Sequence, residues 1–158
     1  MKSEKGISYT KLLIIFAIIV AIGIGIGFYI KGIVEKENYE SIKTNMLLIQ
    51  AKAKVIKGDA DMKADKTVYK GYQLSNLPEG FDIQEFLNKG LIAKDDYQYY
   101  YILNQQCLND MGLSDIILKK DEYYVVDYDT SEIYYTKGFT DNYGMTFYKL
   151  SEFKEITL

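Results

Sequence analysis

The stretch that decides the fold is Leu12-Leu-Ile-Ile-Phe-Ala-Ile-Ile-Val-Ala-Ile-Gly-Ile-Gly-Ile-Gly-Phe-Tyr-Ile30, which contains no charged residue. As a helix with a rise of about 1.5 Å per residue, it covers roughly 28 Å, close to the ~30 Å hydrocarbon core of a bilayer. A secretory signal would have a shorter apolar region and a small-residue cleavage site after it. The sequence therefore predicts one membrane-spanning helix, with Tyr29 and Lys31 as anchors at its far interface.

The helix is predicted to continue beyond the bilayer as an amphipathic segment over residues 35–57. Its apolar side chains recur at spacings of three and four: Tyr39, Ile42, Met46, Ile49, Ala53 and Ile56. Such a stripe is typical of a helix that buries one face. Gly58, directly after Lys57, predicts the helix end. A juxtamembrane coiled coil would use the same stripe, although less than three heptads is short for one.

The rest of the sequence predicts a small antiparallel sheet and two short helices. Asp82 and Glu85 resemble a capping box for a helix that ends near Gly90, and Asn104 is a suitable N-cap for a helix that ends before Gly112. Strand character is found at residues 97–103, 123–128, 133–136 and 145–150. The two middle strands form a hairpin around residues 129–132. The predicted fold class is α+β, with a long N-terminal helix packed on this sheet.

The composition argues against several classes of function. The chain has 158 residues, a net charge of −3, no His and no Arg. Because phosphate binding needs a clustered positive surface, nucleic acid is not an expected partner. Cys107 is the only cysteine, so the chain cannot form an intramolecular disulfide or a Cys–His pair, and we expect this thiol to be a small buried hydrophobe.

Two groups of carboxylates are candidates for a metal site or for acid–base chemistry. Asp59, Asp61 and Asp65 lack the central Gly and the later bidentate acid of a calcium loop, so residues 58–66 are predicted to form a solvated loop. Asp127, Asp129 and Glu132 cluster at the hairpin tip, where a wet turn would not separate their pKa values for acid–base work. We therefore predict no catalytic residue, no metal site and no cofactor, and the protein is not expected to be an enzyme.

Two sets of repeated residues have a structural and a functional interpretation. The tyrosines concentrated in residues 97–101, 123–128 and 134–135 could stack on a sugar, but aromatic residues are also good strand formers, and we favour the second explanation. Gly23 and Gly27 form a small-xxx-small pair that allows helices to approach closely in a membrane. Gly is also common in membrane helices, so packing is only slightly favoured.

The first eleven residues are a short basic leader, Met1-Lys-Ser-Glu-Lys-Gly6, followed by Ile7-Ser-Tyr-Thr-Lys11. Together with the apolar run, residues 1–34 resemble the N-terminus of type IV prepilins and pseudopilins, whose peptidase cuts after a Gly. The resemblance implies a leader over 1–6, cleavage after Gly6, methylation of Ile7, a transmembrane helix over 7–34 and an extracytoplasmic head over 35–158. Lys11 stands where these proteins carry Glu, which puts ordinary filament assembly in doubt.

The head is similar, most of all at residues 123–138, to the soluble heads of small pilin-like proteins of low-GC Gram-positive bacteria. The resemblance implies a structural subunit, a minor pilin or pseudopilin, of a type IV pilus, competence or type II secretion-like filament. Its implied partners are the lipid bilayer, a prepilin peptidase and other pilin-like subunits, and its place is the cell membrane or a filament at the cell surface. The alternative is a non-polymerising single-pass membrane protein that presents a binding or sensor head.

Overall fold

The computed structural model describes residues 9–153, with side chains for residues 36–153. The chain forms two compact units, residues 1–39 and 40–158. Helix α1 (Tyr9–Lys63) begins in the first unit and ends in the second, which contains all the other elements. The apolar run 12–30 belongs to α1 but lies outside the part with described side chains. Within the described part, no helix is both long and apolar enough to cross a bilayer.

The second unit is built on one antiparallel sheet. Five strands pair in chain order, and every neighbouring pair is antiparallel. The strands are β1 (Tyr72–Gln73), β2 (Tyr100–Leu103), β3 (Tyr124–Asp127), β4 (Glu132–Thr140) and β5 (Thr146–Lys149), and the short helices are α2 (Gln84–Leu87) and α3 (Gln105–Asp110). The predicted α+β class with a long helix and an antiparallel sheet is confirmed, as is the β3–β4 hairpin.

The end of α1 packs against the sheet through the predicted stripe. Met46, Ile49 and Ala53 have no solvent exposure. Polar contacts fix the helix to the tip of the β3–β4 hairpin, where the Gln50 side chain donates to the carbonyl of Ser131 over 2.9 Å and Lys57 Nζ to that of Asp129 over 2.6 Å. Because regular spacing places these side chains on one face, the helix and the sheet bury a common core.

The predicted end of α1 at Lys57 is wrong. The helix runs through Gly58 to Lys63 and closes with a Schellman motif, in which the Asp65 N–H donates to the Ala60 carbonyl over 3.0 Å and the Ala64 N–H to that of Asp61 over 3.4 Å. Ala64 takes the left-handed conformation with φ +50°. One Gly in a helix costs about 1 kcal/mol, and the burial of Ala60, two residues further on, offsets it.

Residues 58–66 are therefore not the predicted solvated loop. Asp59 lies within α1 and pairs with Lys63 over 2.8 Å. Asp65 accepts from the backbone N–H of Thr67 over 2.8 Å and caps a short 3₁₀ turn, Lys66–Val68. Two of the three acids that suggested a calcium loop, Asp59 and Asp65, thus make contacts at the end of α1 and at the start of the 3₁₀ turn.

The other local predictions have mixed outcomes. Asn104 caps α3 as expected, because its side chain accepts from the Cys107 N–H over 3.0 Å. The capping box before α2 is wrong, since Ile83 is the N-cap residue and makes no side-chain cap. The predicted strand at 97–103 begins only at Tyr100, because residues 94–99 form a 3₁₀ helix.

The opposite face of the sheet is covered by the chain between β1 and β2. Buried side chains from this segment meet three from the sheet in one apolar cluster: Leu74, Ile83, Phe86 and Ile92 with Ile102, Val125 and Tyr134. Beyond the hairpin, β5 lies at one edge of the sheet, and the N–H groups of Tyr148 and Lys149 donate to Glu152 Oε2 over 2.9 and 3.1 Å. The sheet is the middle layer between α1 and this irregular segment.

Candidate functional site

The residues predicted for processing and assembly lie outside the described side chains. Gly6 and Ile7 precede residue 9, where the described part begins. Lys11, Gly23 and Gly27 belong to α1, within the part whose side chains are not described. Their roles stay predictions from the sequence.

In the second unit, the structure brings three tyrosines together into one cluster, called here the tyrosine cluster. The rings of Tyr69 and Tyr128 stack in parallel, with centroids 4.1 Å apart and planes 6° apart. The ring of Tyr101 meets both edge-on, at centroid distances of 5.5 Å from Tyr69 and 5.4 Å from Tyr128. Edge-to-face and stacked arrangements at these distances are favourable for aromatic rings, so the three rings fix each other's orientation.

Tyr128 anchors the cluster to the chain that follows α1. It is 1% exposed, and its hydroxyl donates to the Lys70 carbonyl over 2.9 Å while it accepts from the Lys70 N–H over 3.0 Å. Burial raises the pKa of Tyr128 above its ordinary range. Gly71 comes next with φ +112°, and a Cβ there would lie 2.8 Å from the carbonyl oxygen of Ile102. The chain can therefore enter β1 beside β2 only with Gly at this position.

A groove of about 210 Å³ opens over the tyrosine cluster, called here the tyrosine groove. Besides the three rings, its lining residues are Lys66, Gln73, Gln98, Tyr99 and Asp129. The Gln73 side-chain amide donates over 3.1 Å to both the Gln98 carbonyl and the Tyr101 hydroxyl. Partial burial, and the nearby charge of Asp129, raise the pKa of Tyr69. The groove thus combines an aromatic floor with a polar rim.

The sequence predicted that all the hairpin carboxylates are solvated, and for Asp127 this is wrong. Asp127 is buried, and its side chain accepts from the Asp129 N–H over 2.8 Å and from the Thr130 hydroxyl over 2.6 Å. This carboxylate builds the turn, because its acceptors hold the backbone of the residues that follow. Cys107 is buried as expected, and burial raises the pKa of its thiol. Among the described residues, no three or more side chains of the types His, Cys, Asp or Glu lie together in a way that could hold a metal ion.

The tyrosines singled out in the sequence divide among three places. Tyr99, Tyr101 and Tyr128 line the tyrosine groove. Tyr100 and Tyr134 meet on the opposite face of the sheet, with centroids 5.9 Å apart, and Tyr124 and Tyr135 pair across β3 and β4 at 5.3 Å. The strand explanation is therefore adequate for most of them.

Sequence reasoning missed Tyr69, Gln73 and Gln98 as groove residues. The two-residue spacing of Tyr99 and Tyr101 was the available signal, whereas Tyr69 reaches the site only through a contact with a residue far along the chain.

The tyrosine groove and the N-terminal segment are the two candidate sites of this protein. The chain matches no protein-family model, no curated protein and no solved structure.

Proposed function

We propose that the protein is a membrane-anchored, pilin-like structural subunit without enzymatic activity. The observation that carries the proposal is the burial of Met46, Ile49 and Ala53 on the sheet, in the same helix whose sequence contains the apolar run 12–30. A helix with an uncharged apolar run in its first half and an apolar stripe towards its end suits a bilayer first and a protein core afterwards. The head would lie outside the cell, and the N-terminal helix would join other pilin-like subunits.

The outer side of α1 supports assembly through the helix. Leu48, Val55 and Met62 follow one another at seven-residue spacing and are 47%, 68% and 83% exposed. Seven-residue spacing keeps side chains on one face of a helix, so they form an apolar stripe opposite the buried one. Gly58, beside this stripe, leaves open space where a Cβ would stand. A neighbouring helix of a filament could pack here.

The decisive test is the mature N-terminus. Co-expression with a prepilin peptidase should yield a chain that begins at Ile7 with a methylated amine, as measured by mass spectrometry. A Gly6→Leu variant, which removes the residue that the peptidase requires in related proteins, is the control and should stay uncut. An intact Met1 in the unaltered chain would refute processing and favour the alternative below.

Lys11 should weaken assembly through an unfavourable pair of positive charges. In pilins, the Glu at this place is thought to neutralise the N-terminal ammonium of a neighbour, whereas Lys11 would place two cations together in an apolar bundle. Lys11 is one turn from Ile7, so its amine can reach the cytoplasmic interface and insertion remains feasible. We therefore propose a low-copy or tip-like subunit. Lys11→Glu should raise its amount in sheared filaments, and wild-type protein abundant along the shaft would contradict this.

The second candidate function is a non-polymerising membrane protein that presents a binding head. The tyrosine groove is the observation that favours it, because a concave site with aromatic and polar lining residues is the kind of place where a ligand binds. The two candidate functions share the fold and differ in the roles that they give to Gly6 and Lys11. The mature N-terminus therefore separates them.

A further inference from the structure

We propose that the tyrosine groove binds one ring of a neutral, hydroxylated ligand, of which a sugar is the commonest kind. The inference concerns the second unit alone and stands with either candidate function, since both place this head outside the cell.

The size and surface of the groove fit one ring. Its volume of about 210 Å³ is below the roughly 300–1,000 Å³ of pockets for drug-sized ligands. The face of a sugar ring is a patch of C–H groups, and its rim carries hydroxyls. Tyrosine matches both, because it has an apolar ring and a polar tip. Tyr99, which is 46% exposed at the groove, is the most accessible aromatic surface for such a ring.

The charges of the rim favour a neutral ligand. Lys66 and Asp129 both line the groove, and both are exposed. Because these two charges have opposite sign, the rim has no net charge with which to attract a free cation or a free anion, including a nucleotide. Together with the side-chain amide of Gln98, they offer donors and acceptors at once, and a hydroxyl can use either.

The floor of the groove is already organised before a ligand binds. The hydroxyl of Tyr128 is held by Lys70, and that of Tyr101 by Gln73. Stacking against Tyr128 fixes the ring of Tyr69 in addition. A ligand would therefore order few side chains, and weak single-ring contacts lose less of their free energy to that cost.

Saturation-transfer NMR on the full chain, in a detergent without a sugar headgroup, tests the proposal. The probes are the methyl glycosides of glucose, galactose and N-acetylglucosamine, with choline and inorganic phosphate as charged counterparts. At least one glycoside should receive saturation at its ring protons, with a Kd on the order of millimolar. No transfer to any glycoside at about 20 mM, well above such a Kd, would overturn the proposal. Inorganic phosphate has no carbon-bound proton, so it is added as a competitor, and choline is tested both directly and as a competitor. Loss of the glycoside signal on addition of choline or phosphate would overturn the neutral class.

Matched variants locate the site. Tyr99→Ala and Asp129→Asn should each weaken binding about fivefold or more, the loss expected for one contact. Tyr143→Ala removes a more exposed tyrosine, 88% accessible, in the turn before β5 at the far side of the sheet, and should leave binding unchanged. Circular dichroism would show that each variant is folded. Equal binding in folded Tyr99→Ala and wild-type protein, or an equal loss in Tyr143→Ala, would place the ligand elsewhere.

Discussion

The two faces of the sheet are buried in different ways. One face is covered by α1, a continuous helix whose side chains at Met46, Ile49 and Ala53 have no exposure. The other is covered by the segment between β1 and β2, which contributes Phe86 from a short α-helix, Leu74 from a 3₁₀ helix, and Ile83 and Ile92 from irregular chain. The buried contacts of a regular helix are distributed over several turns and are lost together when the helix unfolds. A segment of short helices and turns can instead unfold locally. We therefore expect the α1 face to carry the greater part of the cooperativity of folding.

The largest effect is expected at the centre of the α1 face. A chain that begins at Glu35 should be a soluble monomer that unfolds cooperatively, and Ile49→Ala in it should cost about 2–5 kcal/mol, because a fully buried site loses apolar contact and gains a cavity. Denaturant melts of the two proteins measure this difference.

Leu48→Ala is the control for that measurement. Leu48 is the neighbouring residue, has a side chain of equal size and is 47% exposed on the outer face of α1. Its substitution should change the free energy of unfolding by no more than about 0.5 kcal/mol. A change that small at Ile49 would mean that the stripe does not form the core.

Alkaline pH should destabilise the second unit through its buried tyrosines. Burial raises the pKa of Tyr124 to about 12, against an opposing hydrogen bond from Asn45. The unfolded chain ionises near its ordinary pKa of about 10, so the contribution of Tyr124 is complete below that pH and is lost as the pH rises from about 10 through about 12. At about pH 11, the loss should be about 1.4 kcal/mol from this residue alone.

Phe substitutions can show which face of the sheet contains the tyrosines whose ionisation destabilises the protein at alkaline pH. Burial raises the pKa of Tyr135, beside Tyr124, and of Tyr134, on the opposite face. Melts of Tyr124→Phe and Tyr134→Phe at about pH 8 and about pH 11 would show which face responds. If Tyr124→Phe loses as much stability between the two pH values as wild type, the titration of Tyr124 has no part in it.

A smaller effect is expected where the chain after α1 is tied to the sheet. Tyr128→Phe removes the hydroxyl that bonds both backbone groups of Lys70, and should cost about 1 kcal/mol. Tyr143→Phe, at an exposed turn, should have no measurable effect in the same urea melts. Equal stability of both variants would show that water replaces the Tyr128 contacts without cost.

The smallest effect should have the opposite sign. Ala64→Gly places a Gly where the Schellman motif holds φ at +50°, and should stabilise the protein by about 0.5–1 kcal/mol, because Gly adopts this conformation without the clash of a Cβ. The same substitution at Ala51, an exposed position inside α1, should destabilise by about 1 kcal/mol. Thermal melts that moved in one direction for both variants would contradict the motif.

Patterns that repeat over short distances were the predictable part of this fold. The α1 stripe, the β3–β4 hairpin and the Asn104 cap each depend on residues close in sequence, and each is confirmed. The prediction that the helix ends at Gly58 is wrong because the burial of Ala60 outweighs the preference of Gly for the position after a helix. The tyrosine groove depends on Tyr128 reaching Lys70, 58 residues away, and no local pattern contains that contact.

The carboxylate of Glu152 affects how two molecules can pair through the edge of the sheet. A strand at the border of a sheet offers backbone groups to any passing strand, and this is a common route to uncontrolled aggregation. On β5, the amides of Tyr148 and Lys149 are already occupied by Glu152. These two amides are therefore not available to the strand of a second molecule. Pairing between two molecules through this edge would first have to break both contacts with Glu152.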